Sequence, residues 1–459
     1  MTLSAFPVAK ATPFDTLTIP AEPALVQALN TALGQLQIHD ICVEQVAIDR
    51  IRNKPDEKII IGATACCRQS GQKAFQQLLG IRIFPAGLSA NRLEKAMADN
   101  PTPSPLGPGV LHLEEISAVA WLFPNDRKIS GLNAIMHETA FEKQALPALR
   151  KFLPGAPSPS LWEIKVLRYV PEQSCTLKLA LIYDENGVER RTHFIGKCAS
   201  DKRGAIGFRA MARICENDQQ NPICPEAVHY DNALNLQWQR MVSGSPRPAS
   251  AFLNLNNNEW TRVTKAIRRV HQTPADNFRE VSIKRDIETL AARIDMLAEL
   301  SPSLRQSAQS IAKCLTVSAA DMGSGPSCLL HGDLHPGNFL FDGDHLRLID
   351  FDCAYSGAAE NDLGSFIAAL IATALRQDWP DQSIFNLHQM IASEYGAHSS
   401  EGSLNHRRLH WRIAFSLLTE RVYRALTRMK PGRTDTIPRL LSWAERLSDA
   451  DFDQRAAHG

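Results

Sequence analysis

Three stretches rich in Ile and Val open the chain's readable pattern: Val43 to Ile51, Lys58 to Cys67 and Ala74 to Phe84, separated by the polar turns Asn53-Lys-Pro-Asp56 and Gln69-Ser-Gly-Gln72. The pattern predicts three strands in a small curved meander. A helix is predicted from Ala90 to Asp99, followed by Pro101-Thr-Pro-Ser-Pro-Leu-Gly-Pro-Gly109, whose prolines rule out helix and central strand. Ile116 to Phe123 reads as a further strand and His137 to Phe152 as a helix. The Pro- and Ser-rich run Pro154 to Pro159 then marks a boundary, giving a first α+β, cap-like domain over residues 1–157 with no catalytic constellation of its own.

Beyond the boundary, Trp162 to Tyr169 and Cys175 to Ile182 predict two strands around the turn Val170-Pro-Glu-Gln-Ser174, with Arg191 to Cys198 as a third, together an antiparallel sheet. A helix over Arg203 to Glu216 and strands at Val228 to Tyr230 and Leu234 to Met241 complete a domain over 158–243. From Asn257 the period changes. Trp260, Val263, Ile267 and Val270 share one helical face that Pro274 ends, and Ile283, Ile287, Leu290, Ile294, Leu297 and Leu300 form a second apolar stripe, read as core. A helix beginning at Asn361 and a long amphipathic one from about Leu404 to Met429 make 244–459 a mainly helical domain, ending in a polar tail.

Composition narrows the class. A hydrophobic content of 44% and a formal net charge of +1 describe an ordinary globular chain and argue against a nucleic-acid polymer or an anionic membrane as partner. The longest apolar run, Phe366 to Leu375, is far shorter than a membrane span, and Met1 to Pro7 lacks the features of a secretory signal, so a cytoplasmic protein is expected. The ten cysteines contain no Cys-x-x-Cys pair and read as reduced, packed thiols.

The chemistry is concentrated between Cys328 and Asp352. Asp333 precedes Asn338 by five residues, and twelve further on Asp350 ends the apolar run Leu346-Arg-Leu-Ile349. Phosphoryl transfer needs a carboxylate to orient and accept the proton of the attacking hydroxyl, with hard oxygen ligands to hold Mg²⁺ against the phosphates of ATP. Asp333 suits the first task, and Asn338 and Asp350 the second. The turn Asp342-Gly343-Asp344 predicts a tight hairpin that returns both metal ligands to one edge. Upstream, Lys197 lies in the third strand of the antiparallel sheet, where a kinase-type lysine reaches the α- and β-phosphates. A lysine near a strand end is ordinarily just solvated, and the downstream site is what makes this one a candidate. Glu216, late in the following helix, is the carboxylate available to pair with it, and Met241-Val-Ser-Gly244 is a candidate connection whose backbone would read the adenine edge.

At His331-Gly-Asp-Leu-His-Pro-Gly-Asn338, Leu348-Ile-Asp-Phe351 and Glu360-Asn-Asp362 the sequence resembles the aminoglycoside phosphotransferase and choline kinase-like family over roughly residues 161 to 450, with a looser match at Arg168 to Cys175 and Ile195 to Lys197. The resemblance implies a bilobal protein-kinase-like fold, with an antiparallel-sheet N-lobe and a helical C-lobe and ATP between them. It implies Asp333 as catalytic base, Asn338 and Asp350 as Mg²⁺ ligands, Lys197 as the phosphate-binding lysine, Ser174 as a contact in the phosphate-covering turn, and Asp362 as an anchor of the catalytic loop. Gly332 stands where protein kinases often carry Arg, and the short span from Cys353 to Asn361 leaves no room for a peptide-binding segment. A small hydroxylated acceptor is expected: a sugar, an amino alcohol or an aminoglycoside. The preceding domain is reminiscent of the cap of maltokinase-like enzymes, which carry a different residue at the Asn338 position.

Two other readings compete. His331, Asp333, His335 and Asp350 could form a transition-metal hydrolase cluster, which would leave Asn338 and Lys197 without roles. A kinase-like chain that binds nucleotide with weak or no turnover is the other. Neither a P-loop nor a strand-linked Gly-x-Gly-x-x-Gly is present.

Overall fold

The computed structural model describes residues 18–54, 58–155, 157–218, 220–320, 322–323, 325–397, 404–427 and 434–449. The expectations for Met1 to Pro7, the Pro55-Asp56 turn, the end of the last long helix at Met429 and the polar tail lie outside the described residues. Two compact units are present, residues 1–204 with 228–238, and residues 205–227 with 239–459.

The first unit begins with helix α1 (Glu22–Gln35), whose Leu25, Ala28, Leu29, Ala32 and Leu33 fall on one face and are buried. They cover a sheet of β1 (Ile41–Lys54), β2 (Lys58–Gln69), β3 (Phe75–Ile83), β4 (Val110–Leu113) and β5 (Ala118–Leu122), in the order β1-β2-β3-β5-β4. The three expected strands form the antiparallel meander, and register shifts at Val43/Gln45 and Ile48/Arg50 curve it. Strand β5 is buried on both sides because its alternate residues serve two cores. Ala118, Ala120 and Leu122 pack in the α1 core, while Val119 and Trp121 pack with Phe84 and with Ala96 of α2 (Ser89–Ala98).

After α3 (Gly131–Met136), the single helix expected over His137 to Phe152 is instead two, α4 (Glu138–Gln144) and α5 (Leu146–Arg150). Pro147 explains the break. It has no N–H to extend α4, but it fits the first turn of α5, where that donor is unused. These helices cover one face of a second sheet, built from β6 (Leu161–Val170), β7 (Ser174–Glu185), β8 (Val188–Ala199), β9 (Ala227–Asp231) and β10 (Leu236–Arg240) in the order β6-β7-β8-β10-β9. Phe141 and Leu149 pack there with Cys175, Leu177, Leu179, Phe194, Cys198 and Trp238.

The second unit takes most of α6 (Arg203–Asn217), then α7 (Asn257–His271), α8 (Ile283–Leu300) and α9 (Arg305–Ala319). A reciprocal cap between Asn256 and Glu259 starts α7, and the expected stripe in α8 is core, with Leu290, Ile294 and Leu297 buried. The short strands β11 (Ser245–Pro246), β13 (Phe339–Asp342) and β14 (His345–Leu348) form one small sheet, and β12 (Cys328–Leu330) pairs with β15 (Tyr355–Gly357) in another. Helix α10 (Glu360–Arg376) is apolar nearly all round and buried for most of its length, as a central helix must be. Around it lie α11 (Asp381–Ala397), α12 (His406–Ser416), a π-helical turn over Leu417–Val422, α13 (Tyr423–Thr427) and α14 (Ile437–Ser448). The amphipathic stretch from Leu404 is therefore three segments, its middle one wound more loosely than an α-helix. Among the described residues no helix is long and apolar enough to cross a membrane.

Candidate active site

The catalytic loop leaves β12 at His331, which is 1% exposed. Its imidazole Nε2 lies 2.9 Å from the Ile349 carbonyl and its ring packs on Phe351, so this histidine joins the two halves of the motif. Gly332 follows at φ +82°, and a Cβ there would lie 1.9 Å from the Cys353 carbonyl oxygen. Only glycine fits. The sequence contrast with the protein-kinase arginine thus has a steric cause as well.

Asp362, near the start of α10, holds this bend. Its carboxylate accepts from the His331 amide at 2.6 Å and from the Gly332 amide at 2.9 Å, with His271 Nε2 at 3.2 Å. Burial by itself would raise the Asp362 pKa, but the His271 hydrogen bond, the neighbouring histidines and the Gly332 amide hold it below the usual carboxylate value.

Asp333 comes next, with its side chain 39% exposed and Oδ1 3.8 Å from Arg424 Nη2. Asn338 is 4% exposed, and its Nδ2 donates to the Asp333 carbonyl at 3.0 Å. That bond uses the nitrogen of the amide, and the amide oxygen is the atom that a hard cation would take. The Ile349 amide donates to the Asn338 carbonyl at 3.0 Å, directly beyond the last rung of the β13–β14 hairpin, Phe339 opposite Leu348. Asp350 is the next residue and adopts φ +76°, a left-handed backbone that a non-glycine residue holds only under tertiary constraint. The hairpin turns at Gly343, at φ +54°. Asp333, Asn338 and Asp350 are thus tied through one short hydrogen-bonded unit, with an amide and a carboxylate suited to Mg²⁺.

The histidines of the motif are occupied otherwise. His335 Nδ1 accepts from the Gly337 amide at 3.1 Å, and burial, with Arg421 and His331 nearby, lowers its pKa despite the opposing carboxylates. Among the described residues no three His, Cys, Asp or Glu side chains are grouped to hold a metal ion, which removes the geometric basis for the hydrolase cluster.

In the first unit, Lys197 is directly opposite Thr176 across β7 and β8, and Ser174 opposite Ala199. Lys197 and Ser174 therefore share a sheet face as diagonal neighbours, opposite the face where Cys175, Phe194 and Cys198 are buried against the helices. Gly196 beside Lys197 is required by Trp238, whose ring would lie 2.6 Å from an added Cβ.

The turn before Ser174 carries a feature that the sequence reading missed. Glu172, at φ +58° and with a side chain 5% exposed, is clasped by Arg127 at 2.8 Å, Arg82 at 3.3 Å, and Arg52 and Lys58 at 3.9 Å. Asp126 accepts the Glu172 amide at 2.9 Å and the Tyr169 hydroxyl at 2.7 Å. Pro171 approaches Gly62 and Gly80 so closely that a Cβ at either would lie 3.1 Å from its ring. Burial raises the Glu172 pKa, and the pairing with Arg127, Arg82 and Lys58 outweighs it, leaving the carboxyl below its ordinary value.

Glu216 is on α6 with its side chain 67% exposed, paired with Arg213 at 3.5 Å. Met241 is 40% exposed at the start of the connection to β11, where Ser245 and Pro246 pair with Phe341 and Leu340 and Ser243 donates to Asp342 at 2.5 Å.

Residues 186–396 match the family described as APH, phosphotransferase enzyme family. The match takes in the loop from His331 to Asn338 and the hairpin that leads to Asp350. That match agrees with the resemblance read from the motif at His331 to Asn338, and the described residues have the expected α+β character. Solved structures similar to the chain include a choline/ethanolamine kinase family protein from Mesorhizobium loti, 14% identical, covering 69% of this chain and 98% of that one at a TM-score of 0.45. A choline kinase from Cryptosporidium parvum Iowa II is 12% identical, over 69% and 97% of the two chains, at 0.45. A thermostable mutant of the aminoglycoside phosphotransferase APH(4)-Ia is 15% identical, over 66% and 98%, at 0.42. No curated protein matches the chain.

Proposed function

We propose that the protein moves the γ-phosphoryl group of ATP to a hydroxyl of a small molecule, with Mg²⁺ as cofactor and Asp333 as base. The observation that carries this reading is the tie from the Asn338 amide to the Asp333 carbonyl and from the Ile349 amide to the Asn338 carbonyl. It supports assigning Asp333 as the proton acceptor and Asn338 and Asp350 as hard oxygen ligands, because the three residues belong to one hydrogen-bonded unit. The acceptor oxygen forms a bond to the γ-phosphorus, and the bond to the β,γ-bridging oxygen breaks with its electron pair leaving on ADP. The acceptor's proton passes to Asp333. Asn338 and Asp350 would hold Mg²⁺, which when bound neutralises charge on the phosphates. On the nucleotide side, Lys197 is assigned to the phosphates and Ser174 to the turn that covers them, with Met241 beside the base. A pairing of Glu216 with Lys197 requires Glu216 to leave Arg213.

In this reading residues 158–243 and 244–459 are the two catalytic lobes and 1–157 an attached cap-like domain. The acceptor is a small molecule rather than a nucleic-acid polymer or a membrane, and the reaction belongs in the cytoplasm, where ATP is. A nucleotide-binding protein with weak turnover is the second reading, and the exposure of Glu216 is what favours it. Transfer of labelled γ-phosphate in the presence of Mg²⁺ and an acceptor panel tests the proposal. Recovery of a hydrolytic activity by Zn²⁺ alone after chelation would overturn it.

A further inference from the structure

Beside the catalytic loop lies a cavity of about 270 Å³, just below the usual range of ligand sites, roughly 300–1,000 Å³. Its walls include His335 of the loop, Thr373 and Arg376 of α10, Arg421 of the π-helical turn, Arg424 of α13 and Thr436. Arg424 joins this cavity to the chemistry, since its Nη2 stands 3.8 Å from the Asp333 carboxylate. A hydroxyl presented to Asp333 thus has the cavity beside it.

Charge distinguishes this cavity. Three guanidinium groups line it, and among the described residues no Asp or Glu does. Of the carboxylates beyond the walls, Glu420 pairs with Arg421 at 3.2 Å and Arg424 at 3.8 Å, Asp333 stands 3.8 Å from Arg424, and Asp350 acts on His335, so the lining itself carries the positive charge. Arg421 is only 14% exposed. Its Nη2 donates to the Ser365 carbonyl at 3.2 Å, but its buried Nε meets no acceptor. Arg376 donates to Thr373 Oγ1 at 2.9 Å. A buried donor without an acceptor is costly, and a guanidinium fork matches the oxygens of a carboxylate or a phosphate. A cationic acceptor would meet like charge here instead.

We propose that the acceptor is an anionic hydroxy compound, a sugar acid or a sugar phosphate, whose charged group is held by Arg376, Arg421 and Arg424 while its hydroxyl faces Asp333. This rests on the phosphotransferase reading and narrows its acceptor class. The carboxylate or phosphate of the acceptor takes no part in the bonds made and broken. It supplies orientation.

The test uses the full chain and matched sets on two skeletons: glycerol, glycerate and glycerol 3-phosphate, and glucose, glucosamine, gluconate and glucose 6-phosphate. Binding is measured calorimetrically with Mg-ADP present, and turnover with Mg-ATP. An anion should bind at least about tenfold more tightly than its neutral parent, the carboxylate and phosphate arms telling the two sources apart. Arg376→Gln and Arg424→Gln, each checked for retained thermal stability, should each raise the acceptor KM about 10- to 100-fold, as expected for losing a charge-assisted hydrogen bond, while the KM for Mg-ATP stays within about twofold. Glucosamine or a neutral parent binding as tightly as the anions overturns the proposal. So does a rise in the Mg-ATP KM alone, which would assign the arginines to the nucleotide. Either result leaves the phosphotransferase reading intact, because that reading fails only if Mg-ATP itself neither binds nor reacts.

Discussion

The carboxylate of Asp362 accepts the Gly332 amide at 2.9 Å, so the first turn of a buried helix sets the backbone one residue ahead of Asp333. Asp362→Ala would leave the His331 and Gly332 amides without their acceptor, and His271 Nε2 without its partner, in the interior. A loss of about 3–5 kcal/mol is expected, the usual range for removing one partner of a buried pair. Urea melts of the two proteins measure it.

Gly332→Ala meets a different obstacle. The added methyl would lie 1.9 Å from the Cys353 carbonyl at φ +82°, so the loop must move. Strain of about 1–3 kcal/mol is expected in the melt. Because the displaced residue is next to the proposed base, transfer should fall more than Mg-ATP binding does, which a comparison of turnover with nucleotide titration resolves.

The loop and hairpin of the candidate site were legible because they are local. Asp333, Asn338 and Asp350 are fixed by one loop and one hairpin, whose turn residues and apolar run stand together in the sequence. The strands of the first meander were legible for the same reason. Pro147 was visible but outweighed in the reading by the apolar pattern around it, so one helix was drawn where there are two. Helix α1 was not anticipated, although its five buried residues share a face. The Glu172 clasp could not be read at all, since Arg52, Lys58, Arg82 and Arg127 reach it from strands and loops far away in the chain. Arg421 and Arg424 were absorbed into an amphipathic helix. The π-helical turn that orients them has no signal in apolar periodicity.

Glu172→Ala should loosen the turn ahead of Ser174. It removes the carboxylate shared by Arg52, Lys58, Arg82 and Arg127, and about 3–5 kcal/mol of stability is expected to go with it. If the turn covers phosphates as proposed, the KM for Mg-ATP should rise and the acceptor KM should not. Steady-state kinetics with each substrate varied in turn checks this.

Acid should destabilise the protein before its carboxylates titrate. His388 is 1% exposed and lies 5.0 Å from the His410 ring, and burial, then His410 and His406, depress its pKa to about 3. The unfolded state therefore takes up this proton first, near its ordinary pKa of about 6.5, while the folded state resists it. The contribution is fully present above about pH 6.5 and is lost progressively as pH falls toward about 3, on the order of a few kcal/mol. His388→Gln should flatten that limb of a stability profile. The depressed carboxyls of Asp362 and Glu172 act in the same direction only below about pH 4, where their unfolded forms protonate.

The most direct test of the account is a paired measurement on Asp333→Ala: the melting-temperature rise given by Mg-ATP, and single-turnover transfer of its γ-phosphate. The account predicts that the rise remains near that of the unaltered protein while transfer falls by about 10²- to 10⁴-fold, the range for losing a general base. Transfer at an undiminished rate by Asp333→Ala would contradict it.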